Sequence, residues 1–213
     1  MNLSSTPTAM VQTPTKSITL DEFLKLPETK PASEFIDGQI IQKPMPQGKH
    51  SSVQLDLGAS INLALKSQRI GRAYTELRCT YPAGSRSSVY GGRSVVPDIT
   101  VFTWERIPRD DDGKVSNSFL IPPDWTIEIL SPDQSQTKVV RNILHCLAHG
   151  TQMGWLIDPE EELVFVYFAD RTLAIFEEAS ESPEERLRQS IPVPAFAEPF
   201  MLTIGQLFSW LEE

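Results

Sequence analysis

The chain has 213 residues, of which 28 are acidic and 19 are basic, so its formal net charge is −9. A chain of this length can bury a full hydrophobic core in one domain without disulfides or a structural metal. Its two cysteines exclude a disulfide framework and a cysteine-rich zinc site. It has no apolar run of the roughly 18 residues that a spanning helix needs.

The N-terminal segment, residues 1–16, is rich in Ser, Thr, Pro and Gln, and we expect it to be disordered because it has few large apolar side chains. It lacks the apolar region of a signal peptide, so we expect a cytoplasmic protein without membrane association. Residues 17–213 are expected to form a single domain. Thr19 and Glu22 form a capping-box pattern that predicts a short helix over residues 20–26.

Further along the chain, apolar periodicity predicts alternating helices and strands. Asp37-Gly38 between apolar-rich flanks predicts a hairpin over residues 34–41. Apolar residues at helical spacing predict a helix from Ser51 or Ser52 to about Ser67. The other predicted elements are strands at 73–81, 95–102, 125–130 and 154–158, a hairpin at 163–177, and helices at 137–149 and 204–211. This order predicts a mixed α/β fold.

The net charge hides an uneven distribution along the sequence. Residues 159–213 contain 12 acids and 3 bases, whereas residues 43–93 contain eight bases and two acids, a local balance of +6. The basic segment is either a solvated surface or an electrostatic footprint for nucleic-acid phosphates. The overall acidity therefore does not exclude DNA as a partner, but it favours weak or transient binding.

Two carboxylates, Asp98 and Glu128, are predicted to lie inside otherwise apolar strands. A carboxylate in such a strand is costly to bury unless it is paired or bound to a cation. On neighbouring strands the two would offer the hard oxygen ligands that suit Mg²⁺. The alternative is that each is a structural acid, paired with an arginine or capping a helix.

Five short motifs occur in order along the chain. They are Glu34-Phe35-Ile36-Asp37-Gly38, His50, Pro97-Asp98, Glu128-Ile129-Leu130-Ser131-Pro132 and Gly154-Trp155-Leu156-Ile157-Asp158-Pro159. In these motifs the chain resembles the Uma-type family of restriction endonucleases, within the PD-(D/E)XK superfamily. The resemblance runs from about residue 18 to the C-terminus. It implies a restriction-endonuclease-like core, in which helices flank a central mixed β-sheet.

The resemblance also implies a metal-dependent endonuclease that hydrolyses DNA phosphodiester bonds. Asp98, Glu128 and the backbone carbonyl of Ile129 would bind Mg²⁺, for which Mn²⁺ could substitute. The cation would lower the pKa of a bound water and neutralise charge in the transition state. Glu34 would assist the metal or a water. His50, beside a predicted helix N-terminus, would orient a phosphate or shuttle a proton; its alternative is a surface or capping histidine.

The chain departs from the family pattern at the catalytic lysine. The superfamily places this lysine two residues after the second acid, where this chain has Leu130. The narrower family places it on the following helix, at the position of Asn142. Lys138 precedes Asn142 by one helical turn, so we predict that Lys138 supplies the cation. The alternative is a solvent-exposed lysine in a first helical turn.

Two further expectations concern activity and assembly. The displaced lysine leaves open a second class of function, a catalytically degenerate member of the fold that binds nucleic acid or a protein partner. A homodimer is also expected, because a single-domain nuclease must cut two strands of a duplex.

Overall fold

Two β-sheets form the framework of the computed structural model, which describes residues 18–81, 92–132, 134–177 and 190–212. The smaller sheet contains β1 (Ser33–Ile36), β2 (Gln39–Gln42), β4 (Cys79–Tyr81) and β5 (Arg93–Val95). Its strand order is β2-β1-β5-β4, and its paired strands are antiparallel. The predicted hairpin at the Asp37-Gly38 turn is the β1–β2 pair.

The larger sheet has six strands in the order β10-β9-β8-β7-β6-β3. These are β3 (Gly71–Thr75), β6 (Ile99–Thr103), β7 (Trp125–Ile129), β8 (Met153–Asp158), β9 (Leu163–Phe168) and β10 (Leu173–Glu177). β7 and β8 are parallel, and the other pairs of this sheet are antiparallel. The sheet is therefore mixed, which confirms the predicted fold class.

The helices are α1 (Leu20–Phe23), α2 (Gly48–Leu65), α3 (Gln136–Ala148) and α4 (Ile204–Ser209). α1 packs against Phe35 of the smaller sheet, and the other three cover the two faces of the larger sheet. α2 buries an apolar stripe at helical spacing against the face that carries Trp125 and Ile127, and α4 packs into the same cluster. α3 packs against Leu156 and Tyr167 on the other face and connects the parallel strands β7 and β8, which cannot be joined by a tight turn.

A glycine allows α3 to approach β8 closely. A Cβ atom added at Gly154 would overlap the Cγ2 atom of Ile143, a fully buried residue of α3. The position therefore requires glycine because of space. This close packing fixes the distance between α3 and the sheet.

Two predicted strands are each divided in two, and these predictions were wrong in extent. The segment 73–81 contains β3 and β4, which belong to different sheets, because Glu76 adopts a positive φ of 48° between them. The segment 95–102 is divided between β5 and β6, because Pro97 has no N–H group for a ladder. Asp98 consequently lies where the chain crosses from the smaller to the larger sheet, and not inside a strand as predicted.

Helix boundaries also differ from prediction at several ends. α2 begins at Gly48 with Gln47 as its N-cap, so neither Ser51 nor Ser52 caps it, and His50 lies in its first turn instead of before it. The Thr19–Glu22 capping box is confirmed, but the helix ends at Phe23. The segment 1–16 lies outside the described residues. Within the described parts of the chain, no helix combines the length and the apolarity that crossing a membrane requires.

Candidate active site

Acidic and basic side chains from both sheets meet at the crossing between β5 and β6. Glu34 comes from β1 and Lys43 from the residue after β2, both in or beside the smaller sheet. Asp98 lies in the crossing itself, and Glu128 comes from β7 of the larger sheet. We call these four side chains the carboxylate cluster. The three acids are almost fully buried, with exposed fractions of 5% for Glu34, 2% for Asp98 and 3% for Glu128.

Strand alternation explains why Glu128 points into this cluster. Ile127 and Ile129 belong to the apolar core on the α2 side of the sheet. Successive side chains of a strand point to opposite faces, so Glu128 between them faces the α3 side. Alternation along the strand therefore places the carboxylate of Glu128 on the face opposite the apolar core, although the strand itself is buried.

Asp98 is held by partners on every side. Its Oδ1 atom accepts a hydrogen bond from Nζ of Lys43 at 2.6 Å, and Oδ2 accepts one from the backbone N–H of Ile129 at 2.7 Å. Nε2 of His50 lies 3.2 Å from the same Oδ2. The backbone carbonyl of Asp98 accepts from the Gln54 amide at 2.9 Å. This carboxylate is therefore fixed in position before any ligand binds.

Lys43 is the cation of the cluster, and sequence reasoning missed it as a site residue. Its Nζ atom also donates to the carbonyl of Val96 at 2.7 Å and lies 3.7 Å from Oε2 of Glu128. In the sequence it counted only as one base of the segment 43–93. The one signal that could have found it was a single lysine directly after an apolar hairpin strand.

Glu34 links the cluster to α3. Its Oε1 atom accepts a hydrogen bond from the backbone N–H of Val96 at 2.8 Å, and Oε2 accepts one from the side-chain amide of Asn142 at 3.2 Å. Asn142 is itself buried. The position at which the family carries its lysine therefore does face the cluster, but an uncharged amide occupies it here.

The structure brings together four of the five side chains predicted from the sequence and leaves one apart. Glu34, His50, Asp98 and Glu128 converge, and the predicted backbone ligand Ile129 lies beside Asp98. Lys138 is exposed in the first turn of α3, and in the part of the chain that the structure describes no hydrogen bond or ion pair engages its side chain. Its catalytic role stays a prediction.

Burial and mutual repulsion set the protonation of the cluster. Burial raises the pKa of Glu128 well above its usual range, and the charges of Asp98 and Glu34 add to this effect. Burial also raises the pKa of Glu34. Burial opposes ionisation of Asp98, but Lys43 and His50 outweigh it and hold the pKa of Asp98 below its ordinary value. The same carboxylates raise the pKa of Lys43 against the effect of burial.

These directions describe an ionised Asp98–Lys43 pair flanked by two acids, Glu34 and Glu128, whose ionisation is opposed by burial. One lysine ammonium does not balance three carboxylates, so a further cation would allow Glu34 and Glu128 to ionise. Two carboxylates and a backbone carbonyl are ligands of the kind that suit Mg²⁺, which also keeps several waters. The donor set of Asp98, Glu128 and Ile129 therefore fits a divalent cation in type and in charge.

A small cavity lies beside the carboxylate cluster. It has a volume of about 10 Å³, and Lys43, His50, Asp98, Ser131 and Gln134 contribute to its wall. This volume is close to the minimum that one water molecule requires. Among the described residues no three His, Cys, Asp or Glu side chains form a complete metal cage, so a cation bound here would need backbone, water or substrate oxygens as well.

Comparison with known proteins identifies the family to which this arrangement belongs. Residues 20–197 match the family model Uma2, which is described as "Putative restriction endonuclease". The chain is also similar to the crystal structure of a "putative nuclease belonging to DUF820" from Anabaena variabilis ATCC 29413. The two share 59% sequence identity with a TM-score of 0.81 over 91% of this chain and 99% of that chain. Among curated proteins, none matches the chain. The resemblance seen in the five motifs is thus confirmed, and the chain belongs to the Uma2 family.

Proposed function

We propose that this protein is a metal-dependent endonuclease that hydrolyses DNA phosphodiester bonds. The observation that carries the proposal is the convergence of Glu34, Asp98 and Glu128 around Lys43 at the crossing between two sheets. Its family and its structurally similar relative are both described in terms of nucleases. A cluster of buried acids beside one lysine is unnecessary for folding, because apolar residues of similar volume would fill the same space at lower cost.

In this proposal the acids hold the divalent cation and the lysine acts on the phosphate. Asp98, Glu128 and the carbonyl of Ile129 would hold Mg²⁺, with Mn²⁺ as a substitute. When bound, the cation supplies Lewis acidity to the phosphate and to a water. The hydrogen bonds from Ile129 and His50 keep Asp98 in one orientation, so that little reorganisation is needed on binding.

We propose Lys43 as the functional counterpart of the lysine that the family carries on its helix. Its ammonium lies beside two of the acids and borders the small cavity, where it can stabilise the negative charge that develops on phosphate oxygens. Burial raises the pKa of Glu34, which favours a role for this carboxyl group in proton exchange with a water. Lys138, the residue predicted from the sequence, is the competing assignment and could contact the DNA backbone from the surface of α3.

The test is nicking of supercoiled plasmid by purified protein in EDTA, Mg²⁺ or Mn²⁺. We expect nicking only with a divalent ion, and a loss of roughly 100-fold or more in Asp98→Asn and Glu128→Gln, because each replaces a carboxylate that would bind the cation by a neutral amide. Asp56→Asn, an acid on the outer part of α2, is the matched control and should retain activity. Metal-dependent nicking that persists equally in both cluster variants would contradict the proposal.

The second candidate is a catalytically degenerate module that binds DNA or a protein without cutting. Asn142 at the family's lysine position favours it, since a charge is missing there. Calorimetric titration with Mg²⁺ and Mn²⁺ distinguishes the two, because a functional site binds a cation that Asp98→Asn fails to bind. No metal binding, together with salt-dependent DNA binding and no nicking, would favour the degenerate module. Light scattering at several concentrations tests the expected homodimer.

A further inference from the structure

The outer face of α2 carries a row of exposed apolar residues. Leu55, Ala59 and Leu63 recur four residues apart, so they lie along one side of the helix. Leu57 and Ile61, which lie between them in the sequence, are fully buried on the opposite side. Leu55 is 70% exposed and Leu63 is 83% exposed, and Ala59 is exposed as well. We call Leu55, Ala59 and Leu63 the outer stripe.

The outer stripe is unusual for a helix on the surface of a domain. A helix that packs on a sheet normally places polar and charged residues on its outer face. The first turns of α3 follow this rule, because Thr137, Lys138 and Arg141 are exposed there. A single exposed leucine on a protein surface is common, but a continuous apolar row along one helix is typical of an interface. The outer stripe therefore indicates a partner.

The outer stripe is complementary to itself when two copies of α2 pack antiparallel. Leu55 and Leu63 lie equally far from Ala59 along the helix, on its two sides. A two-fold axis at Ala59 therefore places Leu55 of each copy beside Leu63 of the other. The small side chain of Ala59 lies at the centre of this contact and lets the two helices approach closely. All four leucines are thereby removed from water.

Two charges beside the outer stripe fit the same arrangement. Asp56 and Lys66 form no ion pair within the described part of the chain, and about 15 Å along the helix axis separates them in one copy. The two-fold axis brings Lys66 of the second copy level with Ser52, because both lie seven residues from Ala59. Asp56 is one helical turn from Ser52, within reach of a long lysine side chain. A parallel pair would instead place like charges side by side, so the charges favour the antiparallel one.

We propose that a second copy of this chain binds to the outer stripe, with the two α2 helices antiparallel about Ala59. Because His50 lies in the first turn of α2, the two carboxylate clusters would lie at opposite ends of the helix pair. One pair of helices is a small interface, so the dimer should dissociate on dilution. The proposal goes beyond the nuclease function and does not depend on it, because neither DNA nor a metal takes part and a nick in one strand needs only one site.

Analytical ultracentrifugation of the full chain, without DNA or metal, measures the dimer over a range of protein concentrations. Leu63→Glu should raise the dissociation constant about 10-fold or more, because it places a charge in the apolar contact. Leu120→Glu is the matched control, since it makes the same change at an exposed leucine in the loop before β7, and it should leave the constant unchanged. Circular dichroism checks that both variants fold. A wild-type protein that is monomeric at every concentration, or equal effects of the two variants, would overturn the proposal.

Exchange of the two charges tests the antiparallel geometry. Asp56→Lys and Lys66→Glu should each raise the dissociation constant about 3- to 10-fold, because each places like charges together. The double variant should recover most of this loss, because the exchanged charges attract again. The two residues are too far apart to interact within one copy, so a recovery reports on a contact between copies. A double variant that dimerises no better than the single variants would overturn the antiparallel arrangement.

A cysteine at the centre of the contact gives a direct measurement. Cys79 and Cys146 are both buried, so a cysteine on the surface can be oxidised selectively. Mild oxidation of Ala59→Cys should produce a covalent dimer on a non-reducing gel, because the two-fold axis brings the two sulfur atoms together. Ala148→Cys, at an exposed position at the end of α3, is the matched control and should stay monomeric. If Ala59→Cys forms a covalent dimer no faster than this control, a partner other than a second copy covers the outer stripe and the proposal is overturned.

Discussion

The ammonium of Lys43 lies 2.6 Å from Oδ1 of Asp98, although 55 positions separate the two residues in the sequence. This lysine neutralises part of a buried group of three acids and joins the smaller sheet to the crossing between the sheets. Its removal should therefore affect both the stability and the chemistry of the site. The two effects can be measured separately.

Replacement of Lys43 by methionine should destabilise the protein more at pH 8 than at pH 5. Without the ammonium, the pKa values of Asp98, Glu34 and Glu128 in the folded protein should all rise, because Lys43 lowers each of them. The folded variant then binds more protons than the folded wild-type protein, so the stability lost through the substitution increases as the pH rises. We expect a loss of about 3–5 kcal/mol at pH 8 in urea unfolding, and a smaller loss at pH 5.

Lys49→Met provides the control for this measurement. Lys49 forms an exposed ion pair with Glu160, and its loss should cost less than about 1 kcal/mol. If Lys43→Met loses the same stability at both pH values, the protonation of the buried carboxylates does not depend on the charge of Lys43.

Comparison of two lysine variants should decide which lysine serves the reaction. Lys43→Met is expected to reduce metal-dependent nicking roughly 100-fold, because the charge beside the reacting phosphate is lost. Lys138→Ala is expected to change it only a few-fold, through a contact with the DNA backbone. The reverse result would assign the catalytic cation to Lys138, as the sequence predicts.

A second variant makes this comparison independent of stability. Asn142 donates to Glu34 from the family's lysine position, so Asn142→Lys places an ammonium at the same cluster from α3. We expect it to restore part of the nicking activity in the Lys43→Met background. An inactive but folded double variant, shown by circular dichroism, would mean that the location of the charge matters and not only its presence.

His145 should make stability decrease as the pH falls below 6.5. Burial, with contributions from Arg93 and His149, lowers the pKa of His145 to about 3. The unfolded chain takes up a proton near pH 6.5, whereas the folded protein does not until about pH 3. In that interval this residue should reduce the free energy of unfolding by up to about 1.4 kcal/mol for each unit by which the pH falls. Denaturant titrations at pH 7, 6 and 5 measure the slope, which should flatten in both His145→Gln and His145→Phe; an unchanged slope in both would contradict this origin.

Alanine substitutions at two glycines should have opposite effects. Gly154→Ala introduces a Cβ that overlaps Ile143, so α3 must move, at a cost of about 1–3 kcal/mol. Gly58→Ala, in the interior of α2, places its Cβ 3.5 Å from Cγ2 of Thr75, an ordinary contact. It should stabilise the protein by about 0.5–1 kcal/mol, because glycine is a poor helix former. Thermal melting compares them, and a neutral Gly154→Ala would mean that α3 is loosely packed.

Local patterns predicted those parts of the fold and site that depend on neighbours in the sequence. The Asp37-Gly38 turn and the apolar stripe of α2 were readable because hairpins and amphipathic helices have short periods. Asp98 and Glu128 could be predicted as site residues because a buried acid among apolar residues needs a partner or a cation. The motif order indicated the family correctly and brought Glu34 and His50 into the candidate site.

Lys43 was missed because its partners come from distant segments and its one local signal, a position directly after an apolar hairpin strand, is weak. The division of the strands depends on one positive φ at Glu76 and on the missing N–H of Pro97, each of which is a single-residue effect. The choice of Lys138 followed from the family's lysine position at Asn142 and from helical spacing. Spacing identifies the neighbours of a residue on its helix, but it does not tell how that helix packs on the sheet.

The crossing of the chain at Asp98 ties the candidate chemistry to the mutual alignment of the two sheets. Glu34 and Lys43 move with one sheet and Glu128 moves with the other, so a relative slip of about one ångström would separate groups that must act together. Each sheet keeps its own hydrogen bonds during such a slip. Heating should therefore abolish metal binding before the far-ultraviolet circular dichroism of the strands is lost.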